Sequence, residues 1–115
     1  MTTHQLLVFS NPAEGHEDEY NQWYDTVHLG EVLQVPGFMS AQRYRIDLAP
    51  GSPVSQRYLA VYEVEADNPS EVLSRLGAAR SSMNMSDAFD PSSTSALVVS
   101  PVGERQTSGA AGAPS

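Results

Sequence analysis

Four segments of the chain carry the hydrophobic pattern of β-strands. The first contains a continuous apolar run at residues 6–9, which is typical of a strand covered on both faces. In the third, apolar residues occupy both sides of the alternating pattern, with Tyr62 and Val64 on one side and Leu59 and Val61 on the other. The predicted strands span residues 4–10, 38–46, 57–65 and 96–102.

The segment between the first two strands predicts a helix over residues 14–33. Tyr20, Trp23 and Tyr24 recur at helical spacing and belong to one apolar face. Acidic residues 17–19 lie in the first turn, where negative charge meets the positive end of the helix dipole. This helix therefore presents an aromatic face to the rest of the protein.

A second helix is predicted to open at Asn68-Pro69-Ser70, with Asn68 or Ser70 as its cap. We expect Gly77 to end or loosen it. Residues 81–95 are rich in Ser, Met, Asp and Pro, and we interpret them as a loop or lid.

The predicted order β-α-β-β-α-β is that of the α+β, ferredoxin-like fold, with two helices on one face of a four-stranded antiparallel sheet. We assign it to residues 1–103 and expect 104–115, which are rich in Gly, Ala and Ser, to form a disordered tail. Apolar residues on both sides of the third strand predict a second cover, which a homodimer in the form of a dimeric α/β barrel would supply. The alternative is a monomer with a few exposed apolar side chains.

Composition narrows the possible partners. The formal net charge is −8, and all six basic residues are arginines, so the basic stripe that nucleic acids or anionic membranes require is missing. There is no cysteine and no histidine spacing typical of a metal site. The first residues carry neither the charge nor the apolar length of a signal peptide or membrane span, so the expected location is the cytoplasm.

The first helix also carries the candidate chemistry. At about 100° per residue, Asn21, Tyr24, Asp25 and His28 share one edge of the helix, beside the aromatic face. Histidine ordinarily titrates near neutral pH, so His28 is a candidate for general acid/base catalysis. Asp25, one turn earlier, is predicted to orient it, and Asn21 to position a ligand. The alternative is that His28 only ends the aromatic face and bonds a backbone carbonyl.

Aromatic and sulfur-containing side chains are candidates for lining a substrate pocket. Trp23 borders the helix edge, while Tyr44 and Tyr62 lie on strands, where a phenol can bind a ligand oxygen. Met83 lies in the predicted lid, where a flexible thioether suits closure over an apolar ligand. Ordinary core packing is the alternative for each of them.

These residues resemble a known family. The pattern Asn-x-Trp-Tyr-Asp-x-x-His-x-x-Glu-Val-Leu-x-Val-Pro-Gly-Phe at 21–38, with Ala-Gln-Arg-Tyr at 41–44 and the strand at 57–63, resembles the dimeric α/β barrel proteins related to the EthD group. The resemblance covers about nine-tenths of the chain. It implies a ligand pocket between the sheet and the helices, with His28 as the acid/base residue.

That superfamily includes cofactor-free monooxygenases, polyketide cyclases, lactone isomerases and haem-containing aldoxime dehydratases. The leading hypothesis is a cofactor-independent lyase, isomerase or cyclase acting on a small, mostly apolar, aromatic or cyclic molecule. Its catalytic residues would be His28 and Asp25, with no metal. A cofactor-free monooxygenase and a non-catalytic binding or accessory protein are the alternatives, and haem would need only one axial histidine.

Overall fold

A computed structural model describes residues 2–48 and 50–109. The strands are β1 (Thr2–Pro12), β2 (Phe38–Arg45), β3 (Tyr58–Ala66) and β4 (Phe89–Val99). The helices are α1 (Glu17–Trp23), α2 (Leu29–Val32) and α3 (Pro69–Ala79), with a π-helical turn (Tyr24–His28) joining α1 to α2 and a 3₁₀ turn (Arg80–Ser82) after α3. We call α1, the π turn and α2 together the first helix.

The four strands form one antiparallel sheet in the order β2-β3-β1-β4. This order and the two helical segments that connect the strands confirm the predicted ferredoxin-like α+β fold. The helices pack on one face, where a core of fully buried side chains joins Tyr20 and Val72 to Leu6, Tyr62 and Val64. The first helix, with its aromatic face, supplies the largest side chains of that core.

The other face of the sheet carries the second set of apolar residues that the alternation predicts. Leu7, Phe9, Leu59 and Val61 are partly exposed there, and Leu97 of β4 is 45% exposed. Both helices lie on the opposite side, so no described helix of this chain covers this face.

The first helix departs from the regular α-helix that its sequence predicts. In the π turn, the N–H of Leu29 donates to the carbonyl oxygen of Tyr24, five residues earlier. One extra residue in a turn rotates the following side chains by about 100° relative to the preceding ones. The two ends of the predicted polar edge, Asn21 and His28, therefore no longer face the same surroundings.

The second helix begins as predicted and ends later. The Asn68 side chain accepts from the N–H of Ser70, and the Glu71 carboxylate accepts from the N–H of Asn68, which forms a capping box. Gly77, which was expected to end or loosen this helix, does not end it, because α3 continues to Ala79. A glycine within a helix lowers stability without breaking the hydrogen-bond ladder.

The fourth strand begins seven residues earlier than predicted, at Phe89 instead of residue 96. Ser10 of β1 faces a bulge of four β4 residues, 91–94, because Asn11 pairs with Asp90 and Phe9 with Ser95. Within the bulge, the Ser93 hydroxyl accepts from the backbone N–H of Asn11 at 2.8 Å. Side-chain hydrogen bonding of this kind allows a Pro- and Ser-containing segment to belong to a strand.

Beyond β4, the described residues of the predicted tail, 104–109, are exposed and form no helix or strand. Residues 110–115 lie outside the described residues, and so does Ala49 in the predicted loop between β2 and β3. Among the helices that the structure describes, none has the length and apolar character needed to span a membrane.

Candidate active site

A small cavity of about 50 Å³ lies between the helices and the sheet. It is bounded by the first helix, the sheet and the segment that follows α3. Its lining residues are Val8, Tyr24, His28, Val32, Tyr62, Leu76, Arg80, Met83, Met85, Phe89 and Thr94. A mostly apolar cavity with a few converging polar groups is the usual form of a small-molecule site.

Three buried polar atoms in this lining lack a hydrogen-bond partner among the described residues: His28 Nδ1, Tyr62 Oη and Thr94 Oγ1. They come from three different elements, the π turn, β3 and β4. Because buried polar atoms nearly always have partners in folded proteins, each such atom calls for an explanation. That all three face one cavity indicates a place for a polar ligand.

His28 lies at the end of the π turn. Its ring stacks on Trp23, with centroids 4.6 Å apart, and meets the edge of Tyr24 at 5.0 Å. Burial lowers the pKa of His28 to about 4, with a further lowering by the positive charge of Arg80, while the negative charge of Glu31 acts in the opposite direction. The imidazole is therefore neutral at pH 7, and a neutral imidazole can accept a proton.

A second histidine, His4, has hydrogen-bond partners at both ring nitrogens, unlike His28 at Nδ1. His4 is buried, and its ring nitrogens contact Ser100 Oγ at 2.7 Å and the Ala66 carbonyl oxygen at 3.2 Å. The alternative interpretation of His28, a bond to a backbone carbonyl, finds no such contact at its Nδ1.

The phenols beside the cavity stay protonated at neutral pH. Burial raises the pKa of Tyr24 to about 12 and also raises the pKa of Tyr62, where the neighbouring Tyr24 phenol acts in the same direction. A protonated phenol is a hydrogen-bond donor. Tyr62 Oη can therefore donate to a ligand oxygen in the cavity.

Hydrogen bonds of Asn84 hold the segment after α3 against the first helix, beside the cavity. The Glu31 carboxylate accepts from the backbone N–H of Asn84 at 2.8 Å and from its side-chain amide at 3.0 Å. Trp23 Nε1 donates to the Asn84 carbonyl oxygen at 2.8 Å. The neighbours on either side of Asn84, Met83 and Met85, line the cavity, so this segment occupies the position of the predicted lid.

The structure places the other polar residues of the first helix elsewhere. Asp25 accepts from Arg43 Nη1 at 2.9 Å, and Asn21 accepts from Arg43 Nη2 at 2.7 Å. Neither lines the cavity, so Asp25 does not orient His28 in this geometry. Tyr44 is 51% exposed and does not line it either, because it alternates with the helix-facing Arg43.

Arg43 is the centre of a separate polar cluster. Its guanidinium lies 4.5 Å from the ring centroid of Tyr24 and 5.3 Å from that of Tyr58. Tyr58 in turn donates to Glu17, and this hydrogen bond is the main cause of the lowered pKa of that carboxyl group. We call Asn21, Asp25, Arg43, Tyr58 and Glu17 the Arg43 cluster.

Of the eight predicted site residues, four line the cavity: Tyr24, His28, Tyr62 and Met83. Trp23 supports the ring of His28 from outside the lining. Sequence reasoning missed Thr94 and Arg80. The polar segment around Thr94 gave no sign of a strand, and Arg80 follows a helix that Gly77 was expected to end or loosen, so neither could be placed beside the cavity.

Among the described residues, no three His, Cys, Asp or Glu side chains are grouped as metal ligands. The polar atoms of the cavity are one imidazole nitrogen and two hydroxyl oxygens that lack partners. Such a set suits hydrogen bonding and proton transfer to an organic ligand.

No protein-family model and no curated protein matches this chain. Among solved structures, it is similar to an ethyl tert-butyl ether D (EthD) family protein from Bacillus halodurans, with 15% identity, a TM-score of 0.56, and coverage of 92% of this chain and 100% of that one. It is also similar to the heme-degrader MhuD from Mycobacterium tuberculosis, with 18% identity, a TM-score of 0.59, and coverage of 90% and 99%.

A third similar structure is HapK from Hahella chejuensis, with 12% identity, a TM-score of 0.52, and coverage of 90% of this chain and 98% of that one. At these identities the comparisons establish a shared fold. They confirm the fold resemblance to EthD-related proteins that the sequence pattern indicates.

Proposed function

We propose that this protein is an enzyme that moves protons on a small, mostly apolar, cyclic molecule, as a lyase, isomerase or cyclase. The observation that carries the proposal is the convergence of three unpartnered polar atoms, on His28, Tyr62 and Thr94, in one apolar cavity. A protein keeps such groups at a cost in stability, so a function that uses them is the simplest reason for their presence.

The geometry supports a specific division of roles. Neutral His28 takes a proton from an acidic C–H of the substrate through Nδ1, and the C–H electron pair moves toward an adjacent carbonyl. Tyr62 and Thr94 donate hydrogen bonds to the carbonyl oxygen as it gains negative charge. The imidazolium of His28 then returns the proton to another atom of the substrate, or to a leaving group, which completes an isomerisation or elimination.

The cavity also limits what can bind. Its volume is about 50 Å³, about a third of the roughly 150 Å³ of an engineered cavity that binds benzene. A cyclic substrate therefore requires Met83 and Met85 to move, which their flexible side chains allow. Release of the Asn84 contacts with Glu31 and Trp23 would open the same segment.

Haem is the one cofactor that the fold comparison raises, because the MhuD structure has two hemes bound in its active site. A porphyrin is far larger than benzene, and this cavity is too small for benzene. The residues that line the cavity therefore do not fit haem. Cofactor independence remains part of the proposal.

Proton exchange tests the proposal without the natural substrate. Cyclic ketones and lactones incubated with the protein in D₂O are followed by ¹H NMR for loss of the signal of the C–H next to the carbonyl. We expect exchange with the wild type and a loss of about 100-fold or more in the His28→Gln variant. The matched control is His16→Gln, because His16 is exposed and paired with Glu19.

Three other outcomes decide between the hypotheses. Exchange that is equal in the wild type and in His28→Gln removes His28 from the mechanism. Ligand binding without exchange favours the non-catalytic alternative. Consumption of O₂ with electron-rich phenols, measured with an oxygen electrode, favours the cofactor-free monooxygenase.

We also propose that the protein forms a homodimer through the face of the sheet that lies opposite the helices. The apolar residues on that face would be covered by the same face of a second copy. Sedimentation velocity tests this with two exposed leucines: Leu97, on that face, and Leu73, on α3, which is 43% exposed. We expect Leu97→Glu to dissociate the dimer and Leu73→Glu to leave it intact; a wild-type monomer would contradict the proposal.

A further inference from the structure

One arginine of the folded domain has no acidic partner. Arg43, Arg45, Arg57 and Arg75 each lie within 4 Å of an Asp or Glu carboxylate. Among the described residues, no carboxylate lies that close to Arg80. In a chain with 14 acidic and six basic residues, a cation in the folded domain without an acidic neighbour is unexpected.

Arg80 is also the only charged side chain in the lining of the cavity, among the residues that the structure describes. It begins the 3₁₀ turn directly after α3, and its side chain is exposed. A cation at the end of a helix is stabilised by the helix dipole, which accounts for its tolerance there without a partner. Its exposure places it at the mouth of the cavity, with the unpartnered atoms of Tyr62 and Thr94 buried further inside.

The inner and outer ends of the cavity therefore differ in charge. The buried polar atoms in the lining belong to His28, Tyr62 and Thr94. These groups are uncharged at neutral pH and suit a carbonyl or hydroxyl oxygen. The guanidinium of Arg80 suits an anion, because it can donate two parallel hydrogen bonds to a carboxylate.

We propose that the substrate is a small cyclic carboxylate whose opposite end carries a carbonyl or hydroxyl group. Once Met83 and Met85 have moved to enlarge the cavity, the carboxylate binds Arg80 at the mouth, the apolar ring occupies the enlarged space, and the neutral oxygen meets His28, Tyr62 and Thr94. This inference rests on the proposed function and names its substrate class. It also explains why an otherwise acidic protein holds an unpaired arginine beside an apolar cavity.

Isothermal titration calorimetry with three matched probes tests the substrate class. 4-Hydroxybenzoate has both ends, its methyl ester lacks the charge, and benzoate lacks the hydroxyl. We expect the wild type to bind 4-hydroxybenzoate most tightly. Arg80→Gln should weaken both acids by about 10-fold or more, because a hydrogen-bonded charge is lost, and should change the affinity for the ester by less than 2-fold.

Two further variants make the result specific. Arg80→Lys keeps the charge and should restore part of the lost affinity for the acids. Arg45→Gln removes an exposed arginine that is paired with Asp47 and lies outside the cavity, so it should leave all three affinities unchanged. Arg80 has no side-chain partner among the described residues, so we expect its variants to fold like the wild type. Thermal melting checks that each variant is folded.

The result that overturns the inference is an ester that binds the wild type as well as the acid does, with affinities that Arg80→Gln leaves unchanged. The cavity would then be a ligand site for neutral molecules, and the proposed function would stand. Failure of all three probes to bind also overturns the inference. The proposed function is decided separately, by proton exchange in the wild type and His28→Gln.

Discussion

The first helix carries two groups of polar side chains that differ in hydrogen bonding: one group has partners within the protein and the other does not. Near its start, Asn21 and Asp25 bind the guanidinium of Arg43 at 2.7 and 2.9 Å. At the end of the π turn, His28 Nδ1 faces a cavity with no partner, together with the hydroxyls of Tyr62 and Thr94. The two groups are neighbours along one helix, yet one is saturated with hydrogen bonds and the other is not.

The difference separates a structural role from a functional one. A satisfied cluster holds the helix against the sheet, because its hydrogen bonds and cation–π contacts are made within the protein. An unsatisfied cluster lowers stability until something binds it. Hydrogen-bond satisfaction, more than residue type, thus distinguishes the candidate site from the scaffold in this protein.

The largest expected effect comes from removing the centre of the satisfied cluster. Arg43→Ala abolishes two hydrogen bonds and the contact with the Tyr24 ring, so the free energy of unfolding should fall by about 2 to 3 kcal/mol. Urea denaturation measures it, with Arg45→Ala as the exposed control. A loss as small as that of Arg45→Ala would mean that the Arg43 cluster does not hold the helix.

The burial of His28 should make the free energy of unfolding depend on pH. His28 has a pKa of about 4 in the folded protein and an ordinary value of 6.5, so between these values the unfolded chain binds a proton that the folded chain does not. The free energy of unfolding therefore falls as the pH is lowered through this window.

The His28→Gln variant has no titratable group at this position, so its unfolded chain binds no proton there. Relative to the variant, the wild type should lose about 2 to 3 kcal/mol between pH 7 and pH 4, and urea denaturation at both pH values measures the difference. Parallel pH curves for the two proteins would show that His28 titrates normally and is not buried as described.

Two adjacent residues of the β4 bulge make a smaller, matched test. The Ser93 hydroxyl accepts from the Asn11 N–H and donates to the Asp90 carbonyl oxygen at 2.6 Å, whereas the Thr94 hydroxyl has no partner. Ser93→Ala should lower the free energy of unfolding by about 1 kcal/mol, and Thr94→Val should leave it unchanged or raise it slightly. Thermal and urea unfolding measure both variants. Equal losses in the free energy of unfolding would contradict the claim that Ser93 has hydrogen-bond partners and Thr94 has none.

Most of the fold could be predicted from the sequence, because it follows from local patterns. Alternating apolar residues identified the strands, and Asn68-Pro69-Ser70 identified the start of α3. The errors arose where tertiary contacts override local preference. Gly77 stays helical within α3, and the polar residues 91–94 belong to β4 because Ser93 bonds to β1.

The candidate site was predicted only in part. Regular helical geometry places Asp25 beside His28, but both belong to the π turn, which no residue pattern signals and which separates their surroundings. Thr94 could not be assigned because its strand was not recognised. Arg80 became a candidate only once the structure showed which arginines have acidic partners.

Two buried tyrosines give the sharpest test of the claim that unpartnered polar groups mark the candidate site. Tyr20 Oη lies 2.6 Å from Ser10 Oγ, whereas Tyr62 Oη faces the cavity without a partner. We measure the free energy of unfolding and the rate of ligand C–H exchange in Tyr20→Phe and Tyr62→Phe. We expect Tyr20→Phe to lose about 1 kcal/mol with exchange intact, and Tyr62→Phe to keep or gain stability while exchange falls. A Tyr62→Phe protein that loses stability and retains full exchange would overturn the assignment of Tyr62 to the site.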